Sequence, residues 1–395
     1  MIAFAALEDF VLLYPLYQLL FRDHGLSTTQ ISTLFVIWAA TGFLLEVPSG
    51  AWADTYSRRT LLILGSLLSA VGYATWIVLP GYAGFAAGFV LWGAASALTS
   101  GSYEAFVYDE LAARGEAEDF PTVLARARSA AFVANLAATA LAAPVFAIGG
   151  YVLAGALSTL AGLTRAAVAY TLHESPSAPA ESGSGSRRAF TEYGEMLRSG
   201  LTEVVRSRRL RWAVGLVALL GGFLAFDEYF GLLAGDLGVP TTLIPLLVAT
   251  TVAAQAIGSA LAGSAYKLPA ATFTTLLIGA GLLIAVGALS GSPWGFALIA
   301  LGYGVLQLVI VVAEARLQDA IEGPARATVT STASFFSGVF AIAVYVGFAV
   351  GAVWLPLATL VAGLTVPVVL TAFVVPAAMP AVKIASAASK PESKS

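Results

Sequence analysis

The chain has 395 residues, of which 58% are hydrophobic and 11% charged, with a formal net charge of −3. Soluble domains carry about 25% charged residues, so this composition excludes a soluble protein. Cysteine is absent and the two histidines, His24 and His173, lie far apart, which excludes disulfides, thiolate sites and a histidine metal cluster.

The hydrophobic runs are about 20 residues long, the length of a helix crossing a bilayer, and they do not alternate as barrel strands do. Met1 leads straight into the first run, with no basic leader and no small-residue cleavage pattern, so that run is expected to remain as a helix. Twelve spans are predicted, at 2–21, 30–52, 60–80, 83–110, 123–147, 150–172, 210–234, 241–264, 269–290, 294–318, 327–350 and 354–380. Pro80-Gly81, Gly149-Gly150, Gly238-Val239-Pro240 and Ser290-Gly291-Ser292-Pro293 mark short turns between them.

Basic residues set the orientation. Arg58, Arg59, the arginines at 114–128 and 187–211, Lys267, Arg316, Arg326 and the tail lysines all fall on one side, against Arg22 alone on the other. The positive-inside rule then places both termini in the cytoplasm. Arg165 falls inside a span near its cytoplasmic end, where a long side chain can snorkel. Residues 173–209 form the one long hydrophilic break, flexible in its Pro/Ser/Gly-rich first part and helix-like and basic afterwards. The chain therefore divides into a six-span half (1–172), a cytoplasmic linker (173–209), a second six-span half (210–380) and a cytoplasmic tail (381–395).

The halves share sequence. Asp23-His24-Gly25-Leu26-Ser27-Thr28-Thr29-Gln30-Ile31 aligns without a gap on Asp236-Leu237-Gly238-Val239-Pro240-Thr241-Thr242-Leu243-Ile244. Glu104 to Asp109 matches Glu314 to Asp319, and Ala125-Arg126-Ala127 matches Ala325-Arg326-Ala327. Three matches in the same order indicate an internal repeat of the two halves.

The most specific run joins spans two and three, from Glu46 to Arg59. Physically it is a tight turn in which Gly50 permits close helix approach, Asp54 can face a helix N-terminus and Arg58 and Arg59 hold the loop in the cytoplasm. Gly50, Asp54, Arg58 and Arg59 resemble the major facilitator superfamily signature Gly-x-x-x-Asp-(Arg/Lys)-x-Gly-(Arg/Lys)-(Arg/Lys), with Thr55 and Ser57 as departures. The resemblance implies an all-α polytopic membrane protein, with twelve transmembrane helices in two pseudo-symmetric six-helix bundles. It also implies a secondary transporter that works by alternating access and whose spans 1, 4, 7 and 10 line a central cavity. By the same resemblance, Asp54 faces the start of span 11 near Arg326 and Arg58 or Arg59 pairs with Asp109, a conformational latch. Each such surface pair is worth about 0–1 kcal/mol, so a latch needs several. Pro144 with Gly149-Gly150 loosely resembles the Gly-Pro-x-x-Gly-Gly motif of drug antiporters in that superfamily, although Ala143 precedes the proline and the spacing is longer. A plain kink and turn is the competing reading.

Carboxylates inside spans are costly in hydrocarbon and are functional candidates by default. Here they are Glu8 and Asp9 in span 1, Glu104 in span 4, Asp227 and Glu228 in span 7 and Glu314 in span 10, all on the spans that the resemblance assigns to the cavity. Burial disfavours the charged form, so such a group can exchange a proton. Rival readings stay open: Asp9 and its neighbour facing cytoplasmic water, Asp227 and Glu228 at the outer interface, and Glu104 or Glu314 in an ion pair with Arg165 or Arg316. Tyr303, Gln307, Glu314 and Gln318 form a polar stripe at helical spacing, pointing to a cavity or a partner helix. Aromatics near the acids, Tyr103 and Tyr229 among them, suit a lipophilic cation or serve as ordinary packing.

The expected function is proton-coupled efflux of small amphipathic or cationic compounds, with the proton gradient as energy source, no cofactor, no metal and no nucleic-acid partner. The expected protein is a multi-pass monomer of the inner (plasma) membrane. Uptake or facilitated diffusion of a sugar or other metabolite is the alternative, ranked lower because spans 1, 4, 7 and 10 carry few amides and tryptophans. A transporter-like receptor is the alternative of another class, and an enzyme lacks a thiol nucleophile, a metal cluster and a phosphate loop.

Overall fold

The structure, a computed structural model, describes residues 1–174, 194–195, 198, 201–202, 204–321 and 326–379, and only the backbone of 47, 48, 50, 51, 53–55, 326 and 327. Among these residues all regular structure is helical. The first half contains α1 (Ile2–Asp9), α2 (Tyr17–Asp23), α3 (Thr28–Thr55), α4 (Arg58–Val78), α5 (Tyr82–Thr99), α6 (Ser102–Ala113) and α7 (Phe120–Thr171). The second contains α8 (Arg208–Phe223), α9 (Phe230–Asp236), α10 (Ile244–Ala265), α11 (Ala270–Leu289), α12 (Gly295–Ala320), α13 (Arg326–Gly351), α14 (Leu357–Ala372) and α15 (Val375–Ala378). Nine helical stretches among the described residues are long and apolar enough to cross a membrane. Most of the expected linker and all of the expected tail lie outside the described residues.

Local chemistry sets several ends. Ser27 opens α3 with a capping box, accepting from the Gln30 amide at 3.2 Å while its own amide donates to the Gln30 side chain at 3.0 Å. Ser57 caps α4 and Ser207 caps α8 in the simpler way. The 52-residue α7 is far longer than one bilayer crossing requires, and it folds back at Gly150, whose φ of 58° suits a residue without Cβ. The expected turn at Gly149-Gly150 is therefore present, with the non-helical Gly150 between two helical segments.

The first helix of each half is interrupted, where the sequence reading expected a continuous span. In the first half the chain unwinds between Phe10 and Leu16. Pro15 has no N–H and its ring would clash with the carbonyl of Val11 in a helix. The amide of Leu13 is taken instead by Ser158 Oγ at 3.1 Å, as a buried backbone group in a membrane protein must be. In the second half a 3-10 helix, Leu224–Tyr229, separates α8 from α9, and the Leu224 carbonyl accepts from Tyr303 at 3.0 Å. Span 4 is also corrected, because Ser100-Gly101 divides it into α5 and α6.

The same neighbour pattern recurs in both halves. Helix α5 packs on α3 and α4, as α12 packs on α10 and α11, and α4 packs on α7 as α11 packs on α14. The halves meet along α3 with α13 and α7 with α10.

A cavity between two broken helices

The two interruptions face each other across the centre of the molecule and line a cavity of about 390 Å³. Its far end, away from the chain termini, is built by Tyr17 and Gln18 of α2 and by Asp227 and Glu228 of the 3-10 helix. The Tyr17 hydroxyl donates to the Glu228 carboxylate, and Gln18 Nε2 donates to it at 3.3 Å. One wall is aromatic. Trp92 stacks on Trp38 at 4.8 Å and on Tyr14 at 5.4 Å between ring centres, and all three line the cavity.

The end nearer the termini carries Glu8, Asp9 and Arg165. Arg165 is buried and pairs with Glu8 at 2.8 Å, with its guanidinium 4.2 Å from the centre of the Phe4 ring. The Glu8 side chain is 41% exposed, so this end opens to solvent while the far end is held shut. Helices α3, α7 and α10 add Trp38, Asn135, Thr139, Thr251 and Gln255. The lining thus offers carboxylates for a positive charge, ring faces for an apolar or cationic body, and amides and hydroxyls for hydrogen bonding.

The structure places Asp9, Asp227 and Glu228 together on this lining and puts the other expected residues elsewhere. Glu104 is half-exposed and pairs with Arg128 at 2.9 Å, rather than with Arg165. Glu314 is exposed, and Arg316 donates to the carbonyls of Tyr266 and Leu268, both at 2.5 Å. Gln307 and Gln318 of the polar stripe turn to partner helices, bonding Ser259 at 3.3 Å and Thr330 at 2.7 Å. Tyr103 bonds the Met1 carbonyl at 3.2 Å and stacks on Phe4. Tyr229 is fully buried, bonded to Ser32 at 2.9 Å and stacked on Phe348.

Of the expected latch, Arg58 pairs with Asp109 and Arg59 lies 3.9 Å from Glu174. The side chains of Gly50, Asp54 and Arg326 lie outside the described residues. Both partners of the Arg58–Asp109 pair are partly exposed, so Arg58→Ala is expected to cost about 0.5–1 kcal/mol. The Arg58→Ala/Asp109→Ala double variant should cost no more than the costlier single change; additive losses in thermal unfolding would show that the two side chains are independent.

Sequence reasoning missed Asn135, Gln255 and Trp38 as lining residues. The signal was present: an amide inside an apolar span is unusual for the same reason a carboxylate is. Restricting the search to spans 1, 4, 7 and 10 hid them.

Interrupted helices in two related halves around a polar cavity are the arrangement of a membrane transporter. The chain belongs to the Major Facilitator Superfamily, whose family model matches residues 1–352. No curated protein matches the sequence. Among solved structures, a mutant of the nucleoside transporter NupG is similar with a TM-score of 0.74 at 13% identity, covering 94% of this chain and 98% of that one. An auto-inhibited POT family peptide transporter gives 0.70 at 15% identity, covering 94% of each chain. A bacterial homologue of the human lysosomal transporter Spinster, inward-facing and unoccupied, gives 0.68 at 14% identity, covering 95% of this chain and 92% of that one. At these identities the likeness is one of fold.

Proposed function

We propose that this transporter has twelve crossings with both termini in the cytoplasm, and that it exports small amphipathic cations in exchange for protons by alternating access. The observation that carries the reading is the cavity's charge and surface: Glu8, Asp9, Asp227 and Glu228 against Arg165 alone among the described lining residues, beside the Tyr14–Trp92–Trp38 stack. Glu8 is paired with Arg165, which leaves Asp9, Asp227 and Glu228 as the groups able to take a substrate charge or a proton. The orientation rests on the arginines and lysines flanking the spans.

A second reading has its own support. Gln18, Asn135 and Gln255 with Thr139 and Thr251 form the kind of hydrogen-bonding lining that holds a neutral polar metabolite, so a facilitator or symporter ranks closer than the sequence suggested.

The two separate in liposomes that carry a pH-sensitive dye and an imposed proton gradient. Planar and aliphatic lipophilic cations are expected to trigger proton flux, and Asp227→Asn, Glu228→Gln or Asp9→Asn to reduce it at least about tenfold. Counterflow of a neutral metabolite with no cation-triggered flux would replace the export reading with the second.

A further inference from the structure

We infer that Glu228 is the group that links loading of the cavity to opening of the far face, and that Tyr17 and Gln18 are the positioning residues through which it acts. The inference rests on the transport reading above and deepens it by choosing one carboxylate among several.

The halves are held together on the far side by a short series of polar contacts. Arg22 pairs with Asp236 at 2.7 Å and bonds the Leu232 carbonyl at 3.3 Å. Thr29 donates to the Ala349 carbonyl at 3.0 Å, and Tyr229 to Ser32 at 2.9 Å. The remaining contact is the pair of donors from Tyr17 and Gln18 to Glu228. It alone in this series is made by side chains that also line the cavity. The Arg22–Asp236 pair is open to water and screened, whereas the bonds to Glu228 are part-buried, and hydrogen bonds to a charged acceptor are about twice as strong as neutral ones.

Asp227 differs from its neighbour. Among the described residues the side-chain donors of the first half go to Glu228 and none to Asp227. The groups facing Glu228 among the described residues are Tyr17 and Gln18 from α2, Asp227 and Tyr229 beside it, Tyr303 from α12 and Tyr345 from α13. No cation is among them, so when Glu228 is ionised its charge is compensated chiefly by the two donors across the interface. A proton, or the positive charge of a substrate, removes the reason for both donors to converge there. A protonated carboxyl also turns from acceptor to donor on one oxygen, which the Tyr17 hydroxyl must accommodate by rotating.

Gln18 Oε1 has no hydrogen-bond partner among the described protein groups. The Gln18 amide is held against α9, where a side-chain carbon on Gly231 would stand 3.0 Å from that oxygen. Ionised Glu228 therefore holds Tyr17 and Gln18 against the second half and keeps the far face shut.

The absence of cysteine gives a clean test. Ala349→Cys places a thiol at the sealed far face, and Asn135→Cys places one in the open cavity. Each is labelled with a water-soluble maleimide in purified protein, with no substrate or gradient. In the Glu228→Gln background the Ala349→Cys thiol is expected to react about tenfold faster and the Asn135→Cys thiol more slowly, because opening one face closes the other. Tyr17→Phe and Gln18→Leu should shift both rates the same way, and Asp227→Asn should not. Slow labelling of Ala349→Cys with Glu228→Gln, or an equal rise with Asp227→Asn, overturns the assignment. If Glu228→Gln speeds both thiols, it has unfolded the protein, and the Tyr17→Phe and Gln18→Leu variants then decide. Labelling that responds while liposomes show no cation-triggered proton flux keeps the gate and removes the proton-coupled reading. Flux with unresponsive labelling does the reverse.

Discussion

Replacing Glu8 by alanine is expected to destabilise the protein by about 3 kcal/mol, because it leaves the buried Arg165 guanidinium without its half-exposed partner. The Arg165 side chain is only 4% exposed. Its guanidinium lies over Phe4, and Glu8 is the carboxylate paired with it among the described residues, so Glu8 is its main compensation. Asp9 stands in its field and limits the loss. The converse change should be milder. Arg165→Leu leaves Glu8 with a side chain that is 41% exposed and free to turn outward, for an expected cost of about 1–2 kcal/mol. The Glu8→Ala/Arg165→Leu double variant is expected to recover most of the Glu8→Ala loss, since an apolar replacement of a buried pair is often close to neutral. Thermal unfolding of the purified variants in one detergent measures all three. A Glu8→Ala protein within about 0.5 kcal/mol of the parent would mean that Arg165 is compensated by Asp9 and the Phe4 ring instead.

Much of the architecture was legible because a bilayer imposes length and polarity on every crossing segment. Run length located the helices, and Gly149-Gly150 located the fold-back inside α7, where Gly150 takes a positive φ. What escaped was interruption within a run. Hydropathy does not register that Pro15 breaks the first helix, although the residue is visible; and nothing as blunt as a proline announces the 3-10 stretch at Leu224–Tyr229. The carboxylate search had the same limit. It found Asp9, Asp227 and Glu228, which the structure places on one cavity, but also Glu104 and Glu314, which it places at exposed positions. Helical spacing gives the face of a residue relative to its own helix and says nothing of depth. The break at Ser100-Gly101 also uncouples the phase of α6 from that of α5. The amides of Asn135 and Gln255 escaped for a different reason: they sit on α7 and α10, the helices by which the halves touch, and not on spans 1, 4, 7 and 10.

Gly231→Leu is expected to cut transport about thirtyfold while leaving the protein folded. Gly231 lies in α9, immediately past the 3-10 helix, and is buried where α2 and the unwound segment of the first half press closest. A side-chain carbon at this position would meet Gln18 Oε1 at 3.0 Å and the Pro15 carbonyl oxygen at 3.5 Å. Alanine fits if Gln18 gives by a few tenths of an ångström, so Gly231→Ala should retain most activity. Leucine adds three more carbons to a contact with no space for them, and overpacking of this kind costs about 2 kcal/mol. In an interface that opens during the cycle, that cost falls on the state closed at the far face and leaves the open state untouched. A bias of about 2 kcal/mol is a population shift of about thirtyfold toward the far-open state. The fold should survive because the strained contact is between halves and not within one: Gly231 meets Gln18 and Pro15, more than 200 residues away in the chain. Uptake assays in liposomes combined with thermal unfolding separate the outcomes. Loss of transport with an unchanged unfolding temperature is the expected result, whereas a Gly231→Leu protein that transports normally would show that the far face never closes as tightly as this contact requires.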